Sequence, residues 1–243
     1  MLIGIDPGHG GSDPGAVSPV RFELTDQLDT KEDDITLEIS KKLQILLQAA
    51  GLDTYMTRVI DIYEDLLTRS SCINNMKCDL AVSIHINSNA DANPKYMSTY
   101  IQTTGGEAER LATAVQTQLV ATTGWPDGGV KVANLHMNRE TNMPSILVEC
   151  GFISNPGDER QLVDSNVQRK IAVAITNGIL NYIGIQKEVK LMPEQWKQEI
   201  IAEAKKEGLI TTDHEPDDPA TKWFVLAICL NMLKIVRRLI GGK

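Results

Sequence analysis

The sequence predicts a three-layer α/β domain, with helices on both sides of a sheet, and three observations carry that expectation. Apolar runs that stop abruptly at polar or glycine-rich turns recur at 2–7, 79–89 and 145–152, as buried strands do. Between them, apolar residues return at helical spacing in 35–47, 111–119 and 171–183. The two patterns alternate as far as residue 183, the order expected when helices cover both faces of a sheet. The composition allows it, since 42% of the 243 residues are apolar and 23% are charged.

Taken in order, Leu2-Ile3-Gly4-Ile5 reads as a strand, stopped by Asp6-Pro7, and Gly8-His9-Gly10-Gly11 as the tight turn after it. Ligands of open α/β sheets bind just past the carboxyl ends of strands, so His9 stands where chemistry is done. A single histidine in such a turn is as readily structural. A polar segment then runs to Thr30, and the spacing of Ile35, Ile39, Leu43 and Leu47 predicts a helix from Lys31 to a cap at Gly51. Glu32, Asp33 and Asp34 fall in its first turn, where the helix dipole favours acids, and for Glu32 that bland role suffices by itself.

A strand is expected at Leu52–Thr57 and a helix at Tyr63–Met76. Asp79–Asn89 is again a buried strand that delivers a histidine, His85, where its polar loop begins. Two strand-end histidines in one domain are a stronger signal than one. Ser98–Thr103 reads as a strand, Gly106–Ala121 as a helix, and Val130–Asn138 as an extended segment that carries His136. Ser145–Phe152 places Glu149 at the end of an apolar strand, where a carboxylate needs a proton, a cation or a metal-bound water. A salt bridge to Arg58 or Arg139 is the structural alternative. Asn155–Glu159 opens a helical region whose last helix carries the stripe Ile171, Ile175, Ile179 and Ile183.

The tail has a different character. Residues 1–185 carry 14 basic and 23 acidic side chains, whereas 186–243 carry 10 and 9, which predicts a domain boundary near 185. Pro193 opens a helix with Trp196, Ile200 and Ala204 on one face, and a final apolar helix follows the acidic turn around His214. Its longest apolar stretch, 223–233, is too short to span a bilayer. A net charge of −8 argues against a nucleic-acid partner, which calls for a basic face. Four cysteines without metal or disulfide spacing read as reduced thiols, and the first residues have no basic region followed by an apolar one, so cytoplasmic synthesis without a signal peptide is expected.

His9, His85, Glu149 and Glu32 therefore converge from three strand ends and one helix start. Two imidazoles and one carboxylate make a catalytic zinc set, with a fourth position left for water. A second carboxylate can take a proton from that water and pass it to a leaving amine, which is the chemistry of amide hydrolysis. The residues alone leave open which acid is ligand, which is base, and which amide is cut.

DPGHGGSDPGA, TKEDDI, AVSIHINSN and MPSILVECGFISNPGDE, in this order and spacing, resemble the zinc-dependent N-acetylmuramoyl-L-alanine amidases of the amidase-3 family. The resemblance covers residues 1–183. It implies a mixed sheet of about six strands flanked by helices, with Zn²⁺ held by His9, Glu32 and His85 and with Glu149 as catalytic base. It also implies the substrate, the peptidoglycan bond between muramic acid's lactyl group and the first alanine of the stem. The segment before Lys31 is longer and more acidic than the family's usual loop, which makes Glu23 a rival to Glu32. Ile86 stands where a small residue is more usual. His136 fits packing or a substrate groove better than metal binding, since a fourth protein ligand would close the site to water.

The tail, expected as a small helical module over 191–243, resembles more weakly the two-helix modules of some phage lysins and half of an S-layer-homology repeat. These features together suggest a phage or prophage endolysin that reaches the wall after release. A spore lysin would look similar. A zinc exopeptidase of related fold and a non-catalytic wall-binding protein are the alternatives. The former lacks an evident residue for a free terminus, and the latter would not need all four site residues.

Overall fold

The chain divides into Met1–Lys190 and Leu191–Lys243. The computed structural model describes residues 1–18, 30–186 and 189. Glu23, His214, Trp196 and the whole 191–243 module lie outside the described residues.

Six strands and six helices follow one another: β1 Leu2–Pro7, α1 Glu32–Ala49, β2 Asp53–Met56, α2 Leu66–Asn75, β3 Leu80–Asn87, β4 Met97–Ile101, α3 Glu107–Thr123, β5 Asp127–Val132, α4 His136–Glu140, β6 Ser145–Phe152, α5 Pro156–Leu162 and α6 Ser165–Tyr182. The strands form one sheet in the order β2-β1-β3-β6-β4-β5. All neighbours are parallel except β4 and β6, which run antiparallel, so the sheet is mixed and six-stranded as the resemblance implied.

The apolar runs of β3 and β6 conceal a period of two. Val82, Ile84 and Ile86, with Ile146, Val148 and Cys150, point into the main core, where the stripes of α1, α3 and α6 meet them. The intervening residues face the other layer, where Ala81 joins Ile73 and Met137 in a smaller cluster beneath α2 and α4. Register fixes which polar residues share this second face: Asp6 opposes Ser83, and His85 opposes Glu149. Both faces of the sheet are covered, so these strands read as almost continuously apolar.

Two elements differ from the sequence expectation. The segment Val130–Asn138 is not extended throughout: β5 ends at Val132, and His136 opens the short helix α4. Its apolar residues were too few for a helical period to register. The helix expected from Tyr63 begins instead at Leu66, because the Asp65 side chain caps it by accepting the Thr68 amide at 2.9 Å.

Candidate metal and catalytic site

The loop after β1 is held from outside by two buried arginines. Arg58 donates to the carbonyl oxygens of Pro7 at 3.1 Å, Gly8 at 2.9 Å and Asp33 at 2.8 Å. Arg69 donates to the Asp6 carboxylate at 3.0 Å and to the carbonyls of Pro7 and His9. Within this frame His9 takes a left-handed backbone, φ 60°, which turns its ring back over the sheet end. Gly15 must be a glycine for the same reason of space, since a Cβ there would lie 2.6 Å from both Glu32 Oε2 and the His9 ring. At Gly8, a Cβ would strike the His85 ring at 2.5 Å.

Three residues named from the sequence come together here. One ligand atom each from His9, Glu32 and His85 lies within 4.8 Å of the others, the single such group among the described residues. Glu32 sits between the imidazoles, its Oε2 3.4 Å from His9 Nε2 and its Oε1 3.0 Å from His85 Nδ1. The amides of Ala16 and Ile86 donate to the same two oxygens at 2.8 and 2.9 Å, fixing the carboxylate from both sides. The His9 and His85 rings lie edge to face, with centroids 5.0 Å apart. Asp13 accepts from His9 Nδ1 at 2.9 Å, and so holds the tautomer that leaves Nε2 directed at Glu32.

The charges reinforce this picture. Burial would depress the His9 imidazole, but Glu32 and Asp13 more than offset it and raise its pKa to about 9. Burial likewise works against the Glu32 carboxylate, yet the two histidines hold it well below the usual range. In the metal-free protein, protons thus occupy the place where a dication would bind. Two imidazoles and a carboxylate on one centre suit zinc, and the donor set passes the test of chemistry for that ion.

Glu149 is the fourth residue expected at the site, and the register of β3 and β6 places it beside His85. Burial pushes its carboxyl up to about 7, against the smaller lowering effect of His85. Its Oε2 is buried without a hydrogen-bond partner among the described residues. Neither arginine offered as a structural partner reaches it: Arg58 is engaged with backbone carbonyls, and Arg139 with Glu140 and Asn134. His136 lies apart from the ligand cluster, paired with Ser70 Oγ at 3.1 Å between α2 and α4.

The sequence reading missed the frame around the site. Asp6, Arg58 and Arg69 are 1%, 2% and 3% exposed, so a buried carboxylate and two buried guanidinium groups share one network. Asp6 was the available signal, because an acid ending an apolar strand requires a cation somewhere in the chain. Nothing in the spacing identified which arginine supplied it.

Residues 3–181 match the Amidase_3 family, described as N-acetylmuramoyl-L-alanine amidase. Over 182 residues, 74% of the chain, it is 34% identical to N-acetylmuramoyl-L-alanine amidase LytC of Bacillus subtilis, and it spans only 35% of that protein's length. It is 31% identical over 189 residues to the sporulation-specific N-acetylmuramoyl-L-alanine amidase of the same organism, covering 77% of this chain and 70% of that one. The crystal structure of an N-acetylmuramoyl-L-alanine amidase from Clostridium difficile 630 superposes with a TM-score of 0.71 at 31% identity, over 76% of this chain and 98% of that one. With its mixed six-stranded sheet and two strand-end histidines facing a buried glutamate, the chain belongs to the N-acetylmuramoyl-L-alanine amidase family.

Proposed function

We propose that the protein is a zinc-dependent hydrolase of peptidoglycan that cuts the amide between N-acetylmuramic acid and L-alanine. His9, Glu32 and His85 hold the metal, and Glu149 is the base. The observation that carries this reading is Glu149 itself, a buried carboxyl with an unpartnered oxygen, in register with His85 and raised to about 7. A carboxyl so poised takes a proton at neutral pH and gives it up again, as a general base that becomes a general acid must.

Bound zinc supplies a Lewis acid for the scissile carbonyl and an acidified water. The chain's own residues do the rest. Glu149 accepts the proton of the attacking water on its free oxygen and returns it to the alanine nitrogen as the bond breaks. Asp13 keeps His9 in one tautomer, and the Ala16 and Ile86 amides keep Glu32 from rotating away.

Within this reading the chain acts on the wall after release from the cell that makes it, as an endolysin, and residues 191–243 serve as an attachment to the wall. The likeness to LytC and to a sporulation-specific amidase supports a second setting, wall turnover by the bacterium itself. Expression of the chain with and without a membrane-permeabilising protein separates the two, because an endolysin lyses the cell only when the membrane is breached. The chemistry is tested by mass spectrometry of purified peptidoglycan after digestion. Intact stem peptides with a free alanine amine beside intact glycan support the amidase. Removal of residues from the free end of the stem would make the chain an exopeptidase instead, and no cleavage with retained pull-down would make it a binding protein.

A further inference from the structure

Lys131 lies on β5, two strands from β6, and on the face of the sheet that bears Glu149. Glu149 opposes Ser98 across the β4–β6 pair, and Tyr100, two residues further along β4, opposes Lys131. The lysine side chain runs back along the sheet. Its Nζ lies 4.1 Å from the centroid of the Tyr96 ring and 5.8 Å from that of Tyr100. Tyr96 stands just before β4, and β4 is antiparallel to β6, so the ammonium is carried toward the sheet end where Glu149 sits. Tyr96 is itself fixed edge-on against buried Phe152, with centroids 4.7 Å apart.

This ammonium is half-buried, and among the described residues no carboxylate lies within ion-pair distance of it. Ring faces attract a cation but do not neutralise it. On the same face, Ser98 Oγ is buried without a hydrogen-bond partner among the described residues. A buried hydroxyl that has lost water and gained no protein partner calls for an explanation, and this one lies on the sheet face that carries the unpaired ammonium.

Such an arrangement suits an anion that arrives with the ligand. On the amidase reading, the muramic carboxyl is consumed in the scissile amide and the sugars are neutral, which leaves the stem peptide as the part that carries free carboxylates. We propose that Lys131, held between Tyr96 and Tyr100, binds a carboxylate of the stem peptide, so that the enzyme prefers stems that are acidic beyond the first alanine. The contact is remote from the reacting bond and holds ground and transition state alike. It therefore acts on KM and leaves kcat alone.

The test uses the full chain loaded with zinc and two soluble substrates, N-acetylmuramoyl-L-alanyl-D-glutamate with both carboxylates free and the corresponding diamide. Wild type is expected to show the lower KM for the acid. In K131M the ratio of the diamide's KM to the acid's should fall roughly tenfold, the scale of one charge-assisted contact at a half-exposed site, at the same kcat for the acid. An unchanged ratio overturns the proposal. So does a loss of kcat on both substrates with a shifted pH profile, which would make Lys131 a charge acting on Glu149. If wild type cleaves neither compound, the amidase reading falls, and the subsite is judged by calorimetry with L-alanyl-D-glutamate and its diamide. Tighter binding of the acid that K131M abolishes upholds the subsite, and equal binding of the two by wild type removes it.

Discussion

Glutamine in place of Glu149 keeps the size of the side chain but cannot hold the proton. E149Q should lose activity by roughly 10²-fold or more, the contribution of a positioned acid–base group, with zinc content nearly unchanged. Metal analysis beside the rate decides it, since loss of zinc in step with rate would make Glu149 a ligand. His85→Ala should lose both metal and activity. Glu32→Gln should weaken zinc binding, whereas Glu23→Gln, the rival acid outside the described residues, should not. The metal also competes with protons. Below about pH 9 the His9 imidazole is protonated in the metal-free protein, held so by Glu32 and Asp13. Against the effect of burial, Glu32 and Glu149 raise the His85 imidazole as well, so zinc must displace protons from the site and its affinity should rise with pH between 6 and 8. Calorimetry in buffers of different ionisation enthalpy reads the released proton directly, and an affinity flat between pH 6 and 8 would contradict the assignment.

At the scale of elements, the loop after β1 works because Arg58 and Arg69 fix its carbonyls, and Asp6 fixes Arg69. Asp6 and Arg69 are both almost fully buried, 3.0 Å apart. Replacing Asp6 by asparagine leaves an uncompensated buried guanidinium and should destabilise the fold by about 3 kcal/mol, read from the denaturation midpoint. Burial by itself would raise the Asp6 carboxyl, but Arg69, Ser83 and Thr57 more than offset it and hold it below the ordinary value. Its folded pKa is thus the lower one. The stability it confers is present above the ordinary carboxylate pKa of about 4 and is lost as pH falls through the folded value. The acid limb of a stability–pH curve should flatten in D6N. This network also marks the limit of what the sequence disclosed. His9, His85 and Glu149 were legible because strand ends are punctuated by proline, glycine and asparagine, whereas Glu32's place among the ligands came from the family resemblance, since the helix dipole alone accounts for an acid there. Arg58 and Arg69 could not be placed: Arg58 was expected only as an alternative partner of Glu149, and no spacing tied either guanidinium to Asp6. Only the pairing of β1 with β2 and β3 brings a distant acid to them.

At the scale of the whole molecule, alternating apolar runs and helical stripes were enough to foretell the layers, but the mixed character of the sheet came from the family resemblance, and that β4 is the strand running against β6 came only from the structure. Periodicity does not record strand direction. The proposed role of 191–243 as a wall attachment can be tested by removing it. The cut belongs after Lys190 rather than at 185, because Val189 exchanges two hydrogen bonds with Asn177 of α6, at 2.8 and 2.9 Å. Residues 1–190 should fold, since they form one compact unit in which α6 packs its stripe into the core of the described residues. Cleavage of small soluble muropeptides should then stay near the full-length rate. Pull-down by whole walls and lysis of cells should fall, because a second attachment raises the local concentration of wall at the site without touching its chemistry. If the truncated protein pulls down with walls as well as the full chain does, residues 191–243 are not a wall attachment. If it is insoluble, the tail covers an apolar face of the catalytic unit or of a second copy, and the boundary foreseen from the change in charge does not separate independent parts.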